Sequence, residues 1–281
     1  MRILVTGGKG MLGRTLVRAF SADHALFCAD LPETDILSQE SLERAFAEFA
    51  PDAAVHCAAF TNVDKCETER DAAFALNRDG TANVARACAT HGAKLVAIST
   101  DYVFSGDAPG PYPETAIPAP RTVYGASKLA GEEAALSLCP GAAVLRIAWL
   151  YGRGGPSFVH TMASLGTKDG PPLKVVDDQR GNPTSASAVA GAVRFVLEND
   201  LSGVIHGTCE GECSWFEFAR EIFSSLGLRR GVEPCTTAEF PRPAPRPANS
   251  ALAKTVLAAH GYRMPQWREA LKEFLKDEFS R

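Results

Sequence analysis

Arg2-Ile3-Leu4-Val5-Thr6-Gly7-Gly8-Lys9-Gly10-Met11-Leu12-Gly13 decides the fold. The run from Arg2 to Thr6 is short and apolar, which predicts a buried parallel strand. A glycine turn comes next. From about Met11 to Phe20, Leu12, Leu16, Val17 and Phe20 recur on one face of a helix. Strand, glycine turn and helix, in that order, are the context in which a dinucleotide fingerprint carries meaning. The spacing is Gly7-x-x-Gly10-x-x-Gly13 rather than G-x-G-x-x-G. In the dinucleotide reading Gly7 makes the turn, Gly10 lets backbone approach a pyrophosphate, and Gly13 lets the helix sit close on the sheet. The helix then points its free amides at the phosphates. A glycine turn can also be purely structural, so the assignment depends on the rest of the chain.

A second strand reads from Ala25 to Ala29 and ends at Asp30. A carboxylate there is placed for the adenosine ribose hydroxyls of a bound dinucleotide. It repels a 2′-phosphate and so tilts towards NAD, although Arg14 or Lys9 nearby could admit NADP; the plainer reading is a solvated loop residue. Thr34-Asp35-Ile36-Leu37 reads as a very short strand, with Asp35 and Ile36 placed for an adenine edge and face. Ser38 caps a helix carrying Leu42, Ala45, Phe46 and Phe49 at helical spacing. Pro51 stops it, and 52–59 form the next strand. Its small residues Ala58 and Ala59 suit a flat cofactor, and Thr61, Val63 and Asp64 lie on the exit loop. Glu67 to His91 reads as one long helix, in which Asn77 satisfies a neighbouring backbone group.

Lys94 to Ser99 is a clear buried strand that ends in Thr100-Asp101-Tyr102. Ligands of open α/β sheets bind at the carboxyl ends of the strands, so Thr100 is placed to hydrogen-bond a reacting oxygen. The next loop carries Pro109, Pro111, Pro113, Pro118 and Pro120 and can fold over a pocket. Tyr124 and Lys128 then stand four positions apart at the start of a helix, on one face. A nearby ammonium lowers a phenol from its free pKa of about 10 and makes it a proton donor or acceptor near neutrality. Taken alone, such a pair is equally an exposed helix face.

The second half carries no self-standing chemical motif. Ala143 to Trp149 is a strand, Pro156 to Leu165 a helix, and Lys174 to Val176 and Gly203 to His206 are short strands. Ser214-x-x-Glu217 is a capping box opening a helix from Trp215 to Leu226, which Gly227 stops. The prolines from Pro241 to Pro247 make an extended linker, and 249–260 and 265–276 read as closing helices. The fold class is α/β: a Rossmann-type doubly wound parallel sheet with a smaller α/β substrate-binding domain. Residues 1–150 form the dinucleotide-binding domain, with 173–200 packing back on it. Residues 151–172 and 201–281 are mainly the substrate domain.

Composition bounds the function. The chain has 281 residues, 46% of them hydrophobic, and a net charge of −4, so nothing draws it to nucleic acid or an anionic membrane. The first apolar run is too short for a signal peptide and no long apolar span comes after it, so the expected location is cytoplasmic. Eight cysteines in mostly apolar surroundings read as reduced thiols. Cys209 and Cys213 have no matching second pair and no nearby histidine, so no zinc site is expected. The six histidines are scattered and receive no role.

The glycine spacing, the strand-end Thr100 and Tyr124-x-x-x-Lys128 resemble the extended short-chain dehydrogenase/reductase family. Thr100-Asp101-Tyr102-Val103-Phe104, Tyr124-Gly125-Ala126-Ser127-Lys128-Leu129-Ala130-Gly131-Glu132, Arg146-Ile147-Ala148-Trp149 and Asp178-Gln179-Arg180-Gly181-Asn182-Pro183-Thr184 narrow the resemblance to its branch of dTDP-4-dehydrorhamnose reductases. The resemblance implies reduction of a nucleotide-sugar ketone by NADPH or NADH. It implies Thr100, Tyr124 and Lys128 as the catalytic set. Gly7, Gly10, Met11, Leu12, Gly13, Asp30, Asp35, Ile36, Ala59, Phe60, Thr61, Ile98, Tyr124 and Lys128 would line the cofactor. Thr100, Asp101, Tyr102, Trp149, Val63 and Arg246 would meet the substrate. Some members carry a glutamate two residues after the last fingerprint glycine and use it with magnesium at a dimer interface. Here that position is Thr15, so no metal is expected, and a homodimer, which the resemblance suggests, loses that route. Two rival readings share these parts. Epimerases and 4,6-dehydratases of nucleotide sugars keep their NAD, but dehydratases resemble Thr-Asp-Glu where this chain has Thr100-Asp101-Tyr102. The regulatory subunit of methionine adenosyltransferase is similar and non-catalytic.

Overall fold

The protein is described from a computed structural model that covers residues 1–279. Chain order is β1 (Arg2–Thr6), α1 (Met11–Phe20), β2 (Ala25–Ala29), α2 (Gln39–Phe49), β3 (Ala53–His56), α3 (Val63–Thr68), α4 (Arg70–Phe74) and α5 (Thr81–His91). Then come β4 (Lys94–Thr100), α6 (Val123–Leu138), β5 (Ala143–Ile147), β6 (Leu150–Tyr151), α7 (Phe158–Gly166), β7 (Leu173–Val176), β8 (Arg180–Gly181) and β9 (Thr184–Ser185). The chain continues with α8 (Ala186–Glu198), β10 (Gly203–His206), β11 (Cys213–Ser214), α9 (Trp215–Leu226), β12 (Val232–Cys235), α10 (Thr255–Ala259) and α11 (Trp267–Phe279).

Successive side chains of a strand point to opposite faces, and β1 uses both for burial. Ile3 and Val5 join one apolar cluster with Leu12, Leu16 and Phe20 of α1 and Val189 and Val193 of α8. Leu4 joins a second with Leu42 and Phe46 of α2 and Val84 of α5. A sheet buried on both faces reads as continuous apolar runs, which is why β1, β3 and β4 were legible without alternation. The main sheet has six strands in the order β10-β5-β4-β3-β1-β2, all parallel. From β1 the chain goes outward to β2, then returns to β3 on the other side. A crevice opens there, beyond the carboxyl ends of β1 and β3, as it does where strand order reverses in doubly wound sheets.

The remaining elements form a second layer of three two-stranded pairs, β6 with β9, β7 with β12 and β8 with β11, among α7, α9 and α11. Its aromatic residues Phe218 and Trp267 belong to the same apolar cluster as Ile3 and Val5. The capping box at Ser214 and Glu217 is present, and Gly227 ends α9 in the left-handed conformation.

Several expectations are corrected. The long helix over 67–91 is three helices, with a π-helical turn at Ala75–Gly80. Asn77 sits in that turn and reaches sideways: Phe60 N–H donates to Oδ1 (2.8 Å), and Nδ2 donates to Phe60 O (3.1 Å) and Ser127 Oγ (2.9 Å). Such single π-helical turns inside α-helices are rare. Residues 34–37 are not a strand, because Asp35 folds them into turns, accepting from Leu37 N–H and Ser38 N–H. Of 249–260 only Thr255–Ala259 is helical. Residues 249–253 run extended, with Ser250 N–H on Arg180 O and Ala253 N–H on Tyr112 O. Cys28 is exposed and Cys57 half-buried, whereas the other six cysteines are buried; all eight are free.

Candidate active site

The glycine turn is built as tightly as the spacing implies. Gly7 has φ +64°, and a Cβ there would stand 2.7 Å from Ala58 N. A Cβ on Gly13 would stand 2.2 Å from Gly7 O, so only glycine lets α1 lie this close to the turn. Gly10 precedes α1 in extended conformation without a side-chain cap. The first amides of α1 are therefore left for an anionic ligand. At the tip of β2, Asp30 accepts from Lys9 N–H and Leu31 N–H, both at 2.8 Å. The Lys9 ammonium is paired with Glu33 at 2.9 Å, and Arg14 Nε donates to Lys9 O at 2.7 Å. A turn with no room for side chains, free helix amides and a positioned carboxylate fit a dinucleotide.

A cleft of about 770 Å³ runs from this turn across the carboxyl ends of the strands. Gly7, Gly10, Met11, Leu12, Gly13, Asp30, Asp35, Ile36, Ala59, Thr61, Val63, Ile98, Thr100, Asp101, Tyr102, Tyr124, Lys128 and Trp149 all line it. Phe60 does not, and its peptide groups are held by Asn77. Nor does Arg246, whose guanidinium donates to Asp64 Oδ2 (2.9 Å) and Ala244 O (3.0 Å), tying the proline linker to the loop after β3. Sequence reasoning missed the backbone at Gly154–Pro156 and Trp215. The capping box located the start of α9 but not the cleft it faces. Trp149, in the left-handed region at φ +47°, stacks on Trp215 with ring centroids 3.5 Å apart.

The three candidate catalytic groups meet at one end of the cleft. Thr100 ends β4; its hydroxyl donates to Asp101 Oδ1 (2.9 Å) and accepts from Tyr102 N–H (3.2 Å). Thr122 caps α6 by accepting from Gly125 N–H (3.0 Å), and Gly125 packs so closely that a Cβ would lie 2.1 Å from Tyr102 O. That seat brings Tyr124 under the strand end. Lys128 is buried, and its Nζ donates to Ile98 O at 2.7 Å.

The electrostatics correct one expectation. Burial pushes the Tyr124 pKa up rather than down, with the Thr100 hydroxyl opposing it and Asp101 adding to it. The Lys128 ammonium is turned to a backbone carbonyl and does not offset the lost hydration. Burial in turn brings Lys128 down to about 8. A tyrosine raised in this way is fully protonated at neutral pH, which suits a donor. Asp101 is pushed up to about 6, mainly by burial. His56 is buried between Thr6 and Thr81 and pushed down to about 3, a neutral spacer beneath the site. Among the described residues no group of three or more His, Cys, Asp or Glu is placed to hold a metal ion. No helix there is long and apolar enough to cross a membrane.

Comparison with known proteins supplies the context. Residues 1–279 match the family model described as RmlD substrate binding domain. The chain is 42% identical over 282 residues to the "Probable dTDP-4,6-dihydroxy-2-methyloxan-3-one 4-ketoreductase" of Streptomyces antibioticus, covering 99% of this chain and 95% of the relative. It is 40% identical over 279 residues to the dTDP-4-dehydrorhamnose reductase of Mycobacterium tuberculosis, covering 96% and 91%. The solved dTDP-4-dehydrorhamnose reductase of Bacillus anthracis, in complex with NADP, superposes with a TM-score of 0.96 at 39% identity, covering 98% and 99%. A match over the full described length, by sequence and by fold, assigns the chain to the RmlD substrate-binding-domain family of dTDP-4-dehydrorhamnose reductases.

Proposed function

We propose that the protein reduces the C4 ketone of dTDP-4-dehydro-L-rhamnose to the alcohol of dTDP-L-rhamnose, with NADPH or NADH as reductant. The observation that carries this reading is the convergence of Thr100, Tyr124 and Lys128 in one cleft with the glycine turn. Residues 1–150, with 173–200, hold the dinucleotide, and the rest of the chain closes on the sugar. The turn from Gly7 to Gly13 would hold the pyrophosphate, Asp30 the adenosine ribose, and Lys128 the nicotinamide ribose. The reduced nicotinamide, when bound, would supply the hydride.

Tyr124 donates its proton to the ketone oxygen as charge develops there, and solvent restores that proton afterwards. The Thr100 hydroxyl shares the same oxygen, so the two hydroxyls act as an oxyanion site. Asp101, Tyr102, Val63 and Trp149 border the sugar, and remote contacts to the nucleotide hold the ketone at reacting distance. Free cysteines throughout the described chain support a reducing, cytoplasmic setting.

The test is turnover of dTDP-4-dehydrorhamnose beside other 4-keto-sugars, by wild type and Tyr124→Phe. Wild type oxidises NADPH or NADH with the rhamnose precursor, and Tyr124→Phe loses roughly 10²–10⁴ in kcat while still binding cofactor. Near-normal turnover by the variant sinks the proposal. A second reading, the same step on another dTDP-linked 4-keto-sugar, is favoured by the Streptomyces relative. It prevails if another ketone has the higher kcat/KM.

A further inference from the structure

Glu132 and Arg146 have no part in the chemistry above, yet both are almost completely buried, 4% and 2% exposed. They form a two-point pair: Arg146 Nε donates to Glu132 Oε1 (2.9 Å) and a terminal guanidinium nitrogen to Oε2 (2.6 Å). A buried ion pair of this kind is weak evidence for stability, since desolvation of both charges offsets their attraction. Its position is more informative. Glu132 lies on α6 one turn beyond Lys128. The Ser99 hydroxyl donates to Glu132 Oε1, and Ser99 is the register partner of Arg146 across β4 and β5. Ser99 stands between Ile98, whose carbonyl holds Lys128 Nζ, and Thr100. Arg146 lies over the Phe104 ring at 5.0 Å, which fixes it from the far side.

We propose that Glu132 is a positioning residue for the reducing site. Held by Arg146, it clamps Ser99, and with it the strand end that carries the Ile98 carbonyl and the Thr100 hydroxyl. It is also the counter-charge one helical turn behind the Lys128 ammonium. The inference rests on the assignment of Tyr124 and Lys128 under Proposed function.

The charges around Lys128 agree. Burial lowers its pKa, and Glu132 is the largest opposing influence. Just after β3, Cys57 also faces it, but that thiol is pushed up to about 12 and stays neutral; His56, at the end of β3, stays neutral as well. Asp101, Tyr102 and, from α3, Cys66 act on Tyr124 instead. Arg146, on β5, is matched by Glu132 itself. Removing the Glu132 charge therefore lowers the Lys128 pKa further and leaves Lys128 neutral at a pH where the wild type keeps it charged.

The experiment is the pH profile of kcat for three variants of the full-length enzyme. Glu132→Gln removes the charge but strands Arg146, so the double variant Glu132→Met/Arg146→Met removes the pair together, a replacement that buried pairs commonly tolerate. In both, the basic limb is expected to move to lower pH, by about one unit in Glu132→Gln and by less in the double variant, from which the Arg146 charge is also gone; a one-unit shift is a loss of roughly fivefold at pH 8 that is recovered at lower pH. Ser99→Ala leaves the pair intact and deletes a single hydroxyl. It is expected to lower kcat several-fold without moving the limb. A folded double variant with the wild-type limb overturns the electrostatic role, because a merely structural pair leaves the limb in place. Wild-type kcat in Ser99→Ala overturns the clamp. Both outcomes are read in an enzyme whose wild type turns over and whose Tyr124→Phe variant does not, so failure of the underlying assignment shows separately.

Discussion

Asp101 keeps its carboxyl group at 4% exposure; Oδ1 accepts from Thr100, and Oδ2 is buried without a partner. Its pKa rises from 3.8 to about 6 on folding, chiefly through burial. A carboxyl raised in the folded state favours folding only when protonated. The penalty is absent below about pH 4, grows between about 4 and 6, and is complete above that. Asp101→Asn is thus expected to stabilise the protein by about 2–3 kcal/mol at pH 7.5 and to change little at pH 4. Urea unfolding at the two values checks this; an equal gain at both would discard the argument. The same residue scale shows what a sequence displays. That Thr100, Tyr124 and Lys128 share one cleft was legible because a strand end and a four-residue spacing are local facts. The raised Tyr124 pKa was not, because desolvation depends on everything packed around the ring. Trp215 was not either, because its stack with Trp149 joins positions distant in sequence.

At the scale of elements, β1, α1, β2 and β4 arise from uninterrupted apolar runs and helical spacing, and the structure has them where the pattern puts them. The stretch from 63 to 91 does not. Helical periodicity continues through it, while the break falls at Glu69 (φ −114°, ψ 48°) and the π-helical turn at Asn77, which bonds to Phe60 and to Ser127 on another helix. Gly131 belongs to this junction, since a Cβ there would stand 2.2 Å from Asn77 O. Gly131→Ala must push α6 away from the π-helical turn. The expected cost is about 1–3 kcal/mol of stability, as for other overpacked sites. A lower urea midpoint with unchanged m-value checks it, and an unaltered midpoint would mean the two helices separate freely. The short helix at Thr255–Ala259 has a similar explanation, because Ser250 and Ala253 pair with Arg180 and Tyr112 from far along the chain.

At the scale of the whole molecule, the cleft has one wall from each layer. Trp149 comes just after β5 of the main sheet, and Trp215 opens α9 of the second layer. Their stack is a contact between the two layers in the cleft that the glycine turn also lines. Trp215→Ala is expected to raise KM for the nucleotide-sugar about tenfold, on the order of one well-packed aromatic contact, while KM for NADPH stays near wild type. Steady-state kinetics with each substrate varied in turn decides it, and equal changes in both constants would count against the division of the cleft.

The sheet order carries a last consequence, for synthesis of the chain. The strand that covers the outer edge of β5 is β10, which is translated only after α7 and α8. Until Gly203–His206 leaves the ribosome, β5 presents unpaired amides and carbonyls, and until Ala186–Glu198 does, the α1 face that α8 will cover lies bare. Exposed strand edges and apolar faces are where nascent chains aggregate. Arrested nascent chains should therefore gain protease resistance only after β10 has emerged, and shorter ones should depend on a holdase chaperone during elongation.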